Sequence, residues 1–290
     1  MMILLAPWAL LLVAAVWGLS FVWMKDILDQ QDVYSFLFCR FLVASAIMFI
    51  ARPTLFTKFN KKLAARGGLA GLALGTGYIF QTLGLERTTP AITGFVTGLY
   101  VVFTPLIALI FFHDRITWLA WFYIGVATVG LGVLSISGWK IGLGEFFVLV
   151  SAILFAIHII FLSRWSKDFD TYLLTFAQLF TCSLVAGVPA FISGFTPPPD
   201  QQTWSVVLFT AIFATFLAFI VQTWSQARIS AVKVAVILTM EVVFAALFSV
   251  ALGAEPLTLR MLVGGSLILI AMVMIVQPRV SPPKDGILQA

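Results

Sequence analysis

Long apolar runs, broken at short intervals by proline, glycine and charge, make up almost the whole chain. The breaks fall at Arg52-Pro53, Thr89-Pro90, the segment 142–145, the proline run 197–199, Glu255-Pro256 and Gln277-Pro278. The runs are continuously apolar and do not alternate, which predicts helices and excludes the strand pattern of a β-barrel. A helix crosses about 30 Å of hydrocarbon with roughly 20 residues. Ten spans are predicted, at 4–24, 34–51, 67–85, 91–111, 118–136, 145–163, 172–192, 205–224, 233–253 and 259–277. The expected fold class is an all-α membrane protein with ten transmembrane helices.

The pattern also repeats. A shift of 141 positions lays the segment 78–134 on a second copy of itself, with Gln81, Thr82, Arg87 and Val101 meeting Gln222, Thr223, Arg228 and Val242. Asp114 meets Glu255 in the same register. A shift of 138 extends the match to the start of each copy, where Ala14, Asp32, Tyr34 and Phe38 meet Ala152, Asp170, Tyr172 and Phe176. Apolar matches are cheap in such a chain, but Gln, Arg and acid arriving in phase point to duplication. Two units are expected, a five-helix repeat over 1–143 and a second over 144–290 with a short tail. Five is an odd number, so the second copy enters the membrane from the opposite side. That makes an inverted repeat, which is a transporter architecture.

Composition agrees: 61% of residues are hydrophobic, 10% are charged, and mean hydropathy is +1.08. A soluble chain carries charge on about a quarter of its residues. The net charge of +5 does not indicate nucleic acid, because the basic residues are dispersed between apolar runs. They report topology instead. With a cytoplasmic N-terminus the inside loops hold 12 Lys and Arg and the outside loops 4, with Arg40 inside a span. Both termini are therefore predicted to be cytoplasmic. The first run has no basic residue before it and is long enough to cross, so a retained helix is expected and not a cleaved signal. Cys39 and Cys182 fall in different spans and are read as packing residues.

The order of features resembles the drug/metabolite transporter superfamily, in its ten-span branch of paired EamA domains. The resemblance rests on Trp17-Gly18-Leu19-Ser20-Phe21, on Cys39-Arg40-Phe41-Leu42, and on the paired endings His113-Asp114-Arg115-Ile116-Thr117 and Leu252-Gly253-Ala254-Glu255-Pro256-Leu257-Thr258. The second ending is close to the family's LGE-x-L-T. Glu241 stands where members often carry a Glu in the ninth span, although Val242 follows it where a Pro is common. The resemblance implies a bacterial inner-membrane permease, often an exporter, for small organic molecules such as amino acids, with an aromatic amino-acid exporter branch in view. Export of cationic or amphipathic drugs and a sugar-phosphate or nucleotide-sugar type of carrier remain alternatives, with a channel behind them. In that fold the first, third, fourth, sixth, eighth and ninth spans build the central cavity.

On those spans the candidate substrate pathway is Trp17, Ser20, Tyr78, Gln81, Tyr100, Phe155, His158, Gln222 and Glu241. Tyr78, Gln81 and Thr82 share one helix face, as do Trp17, Ser20, Phe21 and Met24. An amide in hydrocarbon needs partners and offers both donors and acceptors to a zwitterion. Glu241 and His158 are the candidate proton carriers, because an intramembrane charge costs about 2.5–3.5 kcal/mol on insertion scales and histidine titrates near neutrality. A helix-locking bond for Glu241 and packing for His158 are the plainer readings. Phe95, Phe103, Phe161, Trp224 and Phe244 are further candidates for an aromatic wall. Arg40 is expected to snorkel to the outer surface or to pair with Asp29 or Asp32. Gly67, Gly71 and Gly75 form a stripe for close helix packing, followed by Gly94 and Gly98. There is no HExxH, no phosphate loop and no Cys/His ligand set, so no catalytic residue, cofactor or metal is expected. The expected partners are a small-molecule substrate and membrane lipid, with the chain a monomer.

Overall fold

The computed structural model describes residues 2–88, 90–135, 142–253 and 256–276. Expectations that fall on Lys140, Glu255, Arg279 and Lys284 lie outside the described residues.

The apolar runs fold as helices α1 (Met2–Ile27), α2 (Val33–Ala51), α3 (Lys61–Arg87), α4 (Pro90–Gly98), α5 (Tyr100–Phe112), α6 (Trp118–Ser135), α7 (Leu143–Trp165), α8 (Thr171–Ser193), α9 (Gln201–Ala211), α10 (Ala218–Gln226), α11 (Ala231–Leu238), α12 (Met240–Ala251) and α13 (Leu259–Val276). Among the described residues nine helical stretches are long and apolar enough to cross a membrane, and Trp118–Val133 in α6 is a shorter apolar helix. No strand occurs among the described residues. The protein is a multi-pass membrane protein.

Polar residues at the breaks start the helices. The side chains of Asp32, Asn60, Asp170 and Asp200 accept from the backbone N–H of Ser35, Leu63, Leu173 and Thr203, satisfying donors that a helix start leaves unpaired. Those bonds hold the Asp200 carboxyl below its ordinary range. At the other end, Arg87 and Arg228 each donate to the carbonyl four residues back, on Leu83 and Trp224.

Three predicted spans are not simple rods. The fourth is interrupted at Leu99, between α4 and α5, and the ninth at Thr239, between α11 and α12. The eighth carries a π turn over Ile212–Leu217, between α9 and α10. The sequence predicts continuous spans there because breaks of one residue leave hydropathy unchanged.

In packing, α1 lies against α12 while α4 and α5 lie against α7; α3 packs on α7 and α8, α2 on α8, and α6 on α13. The α3–α8 contact is close. A Cβ on Gly67 would stand 2.3 Å from the Ala177 Cβ, and one on Gly71 2.4 Å from the Gln178 carbonyl oxygen. Lipid is as apolar as a helix face, so membrane helices gain from such close approach and not from excluding water. The Cys182 thiol donates to the Gly71 carbonyl at 3.3 Å across this contact.

Candidate functional site

The helices enclose a central cavity, and all nine candidate residues stand on its wall: Trp17 and Ser20 from α1, Tyr78 and Gln81 from α3, Tyr100 from α5, Phe155 and His158 from α7, Gln222 from α10 and Glu241 from α12. Its free volume for water is about 50 Å³. That is room for a few waters, since one needs about 10–15 Å³ on this measure.

Seven of the nine are held by a specific hydrogen bond. The Trp17 indole N–H donates to the Ala214 carbonyl at 2.8 Å. The Ser20 hydroxyl donates within its own helix to the Val16 carbonyl, and Gln81 Nε2 donates to Thr97 Oγ1 at 3.1 Å. His158 Nε2 donates to Gln178 Oε1 at 2.7 Å, tying α7 to α8. Gln222 Nε2 donates to Gln226 Oε1, and Gln226 Nε2 donates to the Ile159 carbonyl at 2.6 Å. The Tyr100 hydroxyl donates to Glu241 Oε1 at a long 3.4 Å. Glu241 is 4% exposed, and Gln222 Oε1 is buried with no hydrogen-bond partner.

Arg40 overturns its expectation. Its side chain neither snorkels outward nor meets Asp29 or Asp32; it is 1% exposed and lines the cavity. Asp32 caps α2 and Asp29 is exposed. The reason is the π turn of the eighth span, which presents acceptors at Arg40's level: Nε donates to Thr215 Oγ1 at 2.6 Å and an Nη to the Ala214 carbonyl at 3.2 Å. A π turn takes wider i→i+5 bonds and recurs at functional sites. The guanidinium also lies 4.9 Å from the centre of the Tyr78 ring.

The aromatic wall is narrower than the sequence suggests. Phe155 is on it, and Phe219, which was not singled out, joins it. Phe95, Phe103, Phe161, Trp224 and Phe244 are not on it. Phe161 stacks on Trp165, Phe244 on Phe248, and Trp224 lies under Arg228. In lipid these faces satisfy themselves, so an aromatic residue on a lining helix need not face the centre. Thr82, which shares the Gln81 face in sequence, is buried off the wall. Phe219, which sequence reasoning passed over, had a signal, since it sits at the repeat position of Tyr78, whereas Arg40 was noticed as a charge within an apolar run and given a structural role at the outer surface.

A second cavity of about 520 Å³ opens where α5, α7 and α13 end and α6 and α11 begin, between Asp114, Arg115, Ser163 and Lys233. Asp114 there accepts from Arg164 at 2.6 Å. Elsewhere Lys25, near the end of α1, donates to the carbonyls of Leu85 at 2.9 Å, Thr88 at 3.2 Å and Glu86 at 3.3 Å, tying α1 to the end of α3. Among the described residues no three His, Cys, Asp or Glu side chains gather as metal ligands would.

A bundle of membrane-crossing helices around a small cavity lined by a guanidinium, a carboxyl group, amides and aromatic faces has the features of a small-molecule binding site within a membrane. The comparisons agree, and the chain belongs to the EamA-like transporter family, whose model matches residues 4–136 and 142–277. It is 35% identical over 277 residues to an uncharacterized transporter of Archaeoglobus fulgidus, covering 94% of this chain and 86% of that one. A second uncharacterized transporter of the same organism is 26% identical over 263 residues, covering 85% and 89%. A protein of known crystal structure shares the fold, with a TM-score of 0.77 at 14% identity over 94% of this chain and 96% of its own.

Proposed function

We propose that the protein is a secondary transporter of the inner (cytoplasmic) membrane, an exporter of small organic metabolites and chiefly of amino acids, aromatic ones included. It works by alternating access through the central cavity, which lies between two inverted five-helix halves, with α6 as one of ten crossings.

The observation that carries this reading is the pairing of the cavity wall by the repeat offsets. At 138 residues Trp17 matches Phe155 and Ser20 matches His158; at 141, Tyr78 matches Phe219, Gln81 matches Gln222 and Tyr100 matches Glu241. Tyr100 and Glu241 touch each other, as equivalent residues beside a twofold axis do. The exchange of partners supports the same geometry, since the first span packs on the ninth as the sixth packs on the fourth. The breaks at Leu99 and Thr239 fall at nearly the same offset, and interrupted helices meeting at a repeat interface are where transporters place substrate and coupling ions. The larger cavity, beside Arg115 and Lys233, serves as the cytoplasmic vestibule, while Lys25 fastens the outer ends.

Glu241 and His158 carry protons in this scheme. Arg40 on the same wall weighs against bulky cations as substrates. Counterflow in proteoliposomes with a panel of labelled amino acids tests the substrate class. The variant Glu241→Gln is expected to lose uptake driven by a pH gradient while keeping exchange of labelled for unlabelled solute. An unchanged response to the gradient removes Glu241 from proton coupling.

A further inference from the structure

Arg40 is a full positive charge on the cavity wall whose contacts are neutral: a hydroxyl, a carbonyl, a thioether at 3.5 Å and two ring faces. Among the described residues no carboxylate lies within 4 Å of its guanidinium. Buried charges are retained where they are paired or where function uses them. The neutral contacts fix the plane of the group without cancelling its charge. On the same wall stand two acceptors with spare capacity. Gln222 Oε1 is nine-tenths buried or more with no partner, and Glu241 has only a long bond from Tyr100 to Oε1. The cavity thus keeps a cation and an acid apart and lacks both a resident anion for the first and a resident donor for the amide.

We propose that Arg40 is the anchor for the carboxylate of the transported solute, and that the unpartnered Gln222 Oε1 receives its ammonium group. Guanidinium is planar and presents paired N–H donors that match a carboxylate, which a lysine ammonium cannot do. The solute's side chain is left to the aromatic faces of Trp17, Phe155 and Phe219. This rests on the amino-acid reading above and sharpens it: recognition requires the free α-carboxylate, so esters, amides and simple amines are rejected by a desolvated guanidinium that they leave unpaired.

The test is counterflow in proteoliposomes with labelled phenylalanine, its methyl ester, phenethylamine and 3-phenylpropionate, on the wild type and on Arg40→Gln and Arg40→Lys. The wild type is expected to exchange phenylalanine about 100-fold faster than the ester or the amine, since a site built around a polar group rejects analogues lacking it strongly. Arg40→Gln is expected to bring phenylalanine down to the rate of the ester, with Arg40→Lys between the two. Ester or amine exchanged by the wild type as fast as the acid overturns the anchor without reference to any variant. So does a fall of acid and ester by one common factor in Arg40→Gln, which marks a structural role. Exchange of 3-phenylpropionate at the rate of phenylalanine, lost in Arg40→Gln, upholds the anchor and overturns the amino-acid reading instead.

Discussion

At the scale of single residues the site depends on where a few polar atoms find partners. Arg40 reaches the cavity because Thr215 and the Ala214 carbonyl wait for it in the π turn, and Trp17 donates to the same carbonyl. Removing a partner from a buried charged donor leaves it unsatisfied, at about 1–3 kcal/mol. Thr215→Val is therefore expected to lower stability by about that much, read as a drop in melting temperature in detergent, while Thr215→Ser, which keeps the hydroxyl, stays close to wild type. Equal melting of the two variants would mean that the bond to Thr215 carries no weight. In the sequence Arg40 is visible only as a charge out of place. Its direction depends on a backbone irregularity some 175 residues away in the chain, which no local pattern encodes.

At the scale of elements, the glycine stripe of α3 was legible before any contact was known, because bare positions every fourth residue lie on one helix face. What the stripe faces was not. Gly71→Ala sets a methyl 2.4 Å from the Gln178 carbonyl, and overpacking of this kind costs about 1–3 kcal/mol. Gly125 on α6 has nothing within 4 Å of its would-be Cβ. Thermal unfolding is expected to separate the two, with Gly71→Ala destabilised and Gly125→Ala unchanged. The breaks at Leu99 and Thr239 and the π turn escaped the sequence for a related reason. Apolar residues surround each one, and the hydrogen-bond shift that makes a break or a π turn is a property of packing.

At the scale of the whole molecule, the bias of Lys and Arg predicts that both ends of the chain lie in the cytoplasm, and C-terminal reporter fusions that are active only on one side of the membrane check it. Three carbonyls gathered on one ammonium make Lys25 the fastening between α1 and α3. Under the proposed alternating access, replacing it with Met is expected to favour the outward-open form. In a background with Cys39 and Cys182 replaced, a cysteine at Gln81 should then react faster with a membrane-impermeant thiol reagent added outside. No change in that rate would assign Lys25 to helix capping alone.

Hydropathy, duplication and charge bias are properties of composition and order along the chain, so the sequence by itself determined the class of the protein and the position of nearly every helix. On the spans that the family resemblance implies, it also picked nine polar or aromatic residues that surround one cavity, the polar ones conspicuous because such groups are costly in hydrocarbon and so are rare. Which way a side chain turns from its helix depends on partners brought from other spans. Only the tertiary structure could therefore turn Arg40 inward, draw most of the candidate aromatic residues away from the centre and set Tyr100 against Glu241.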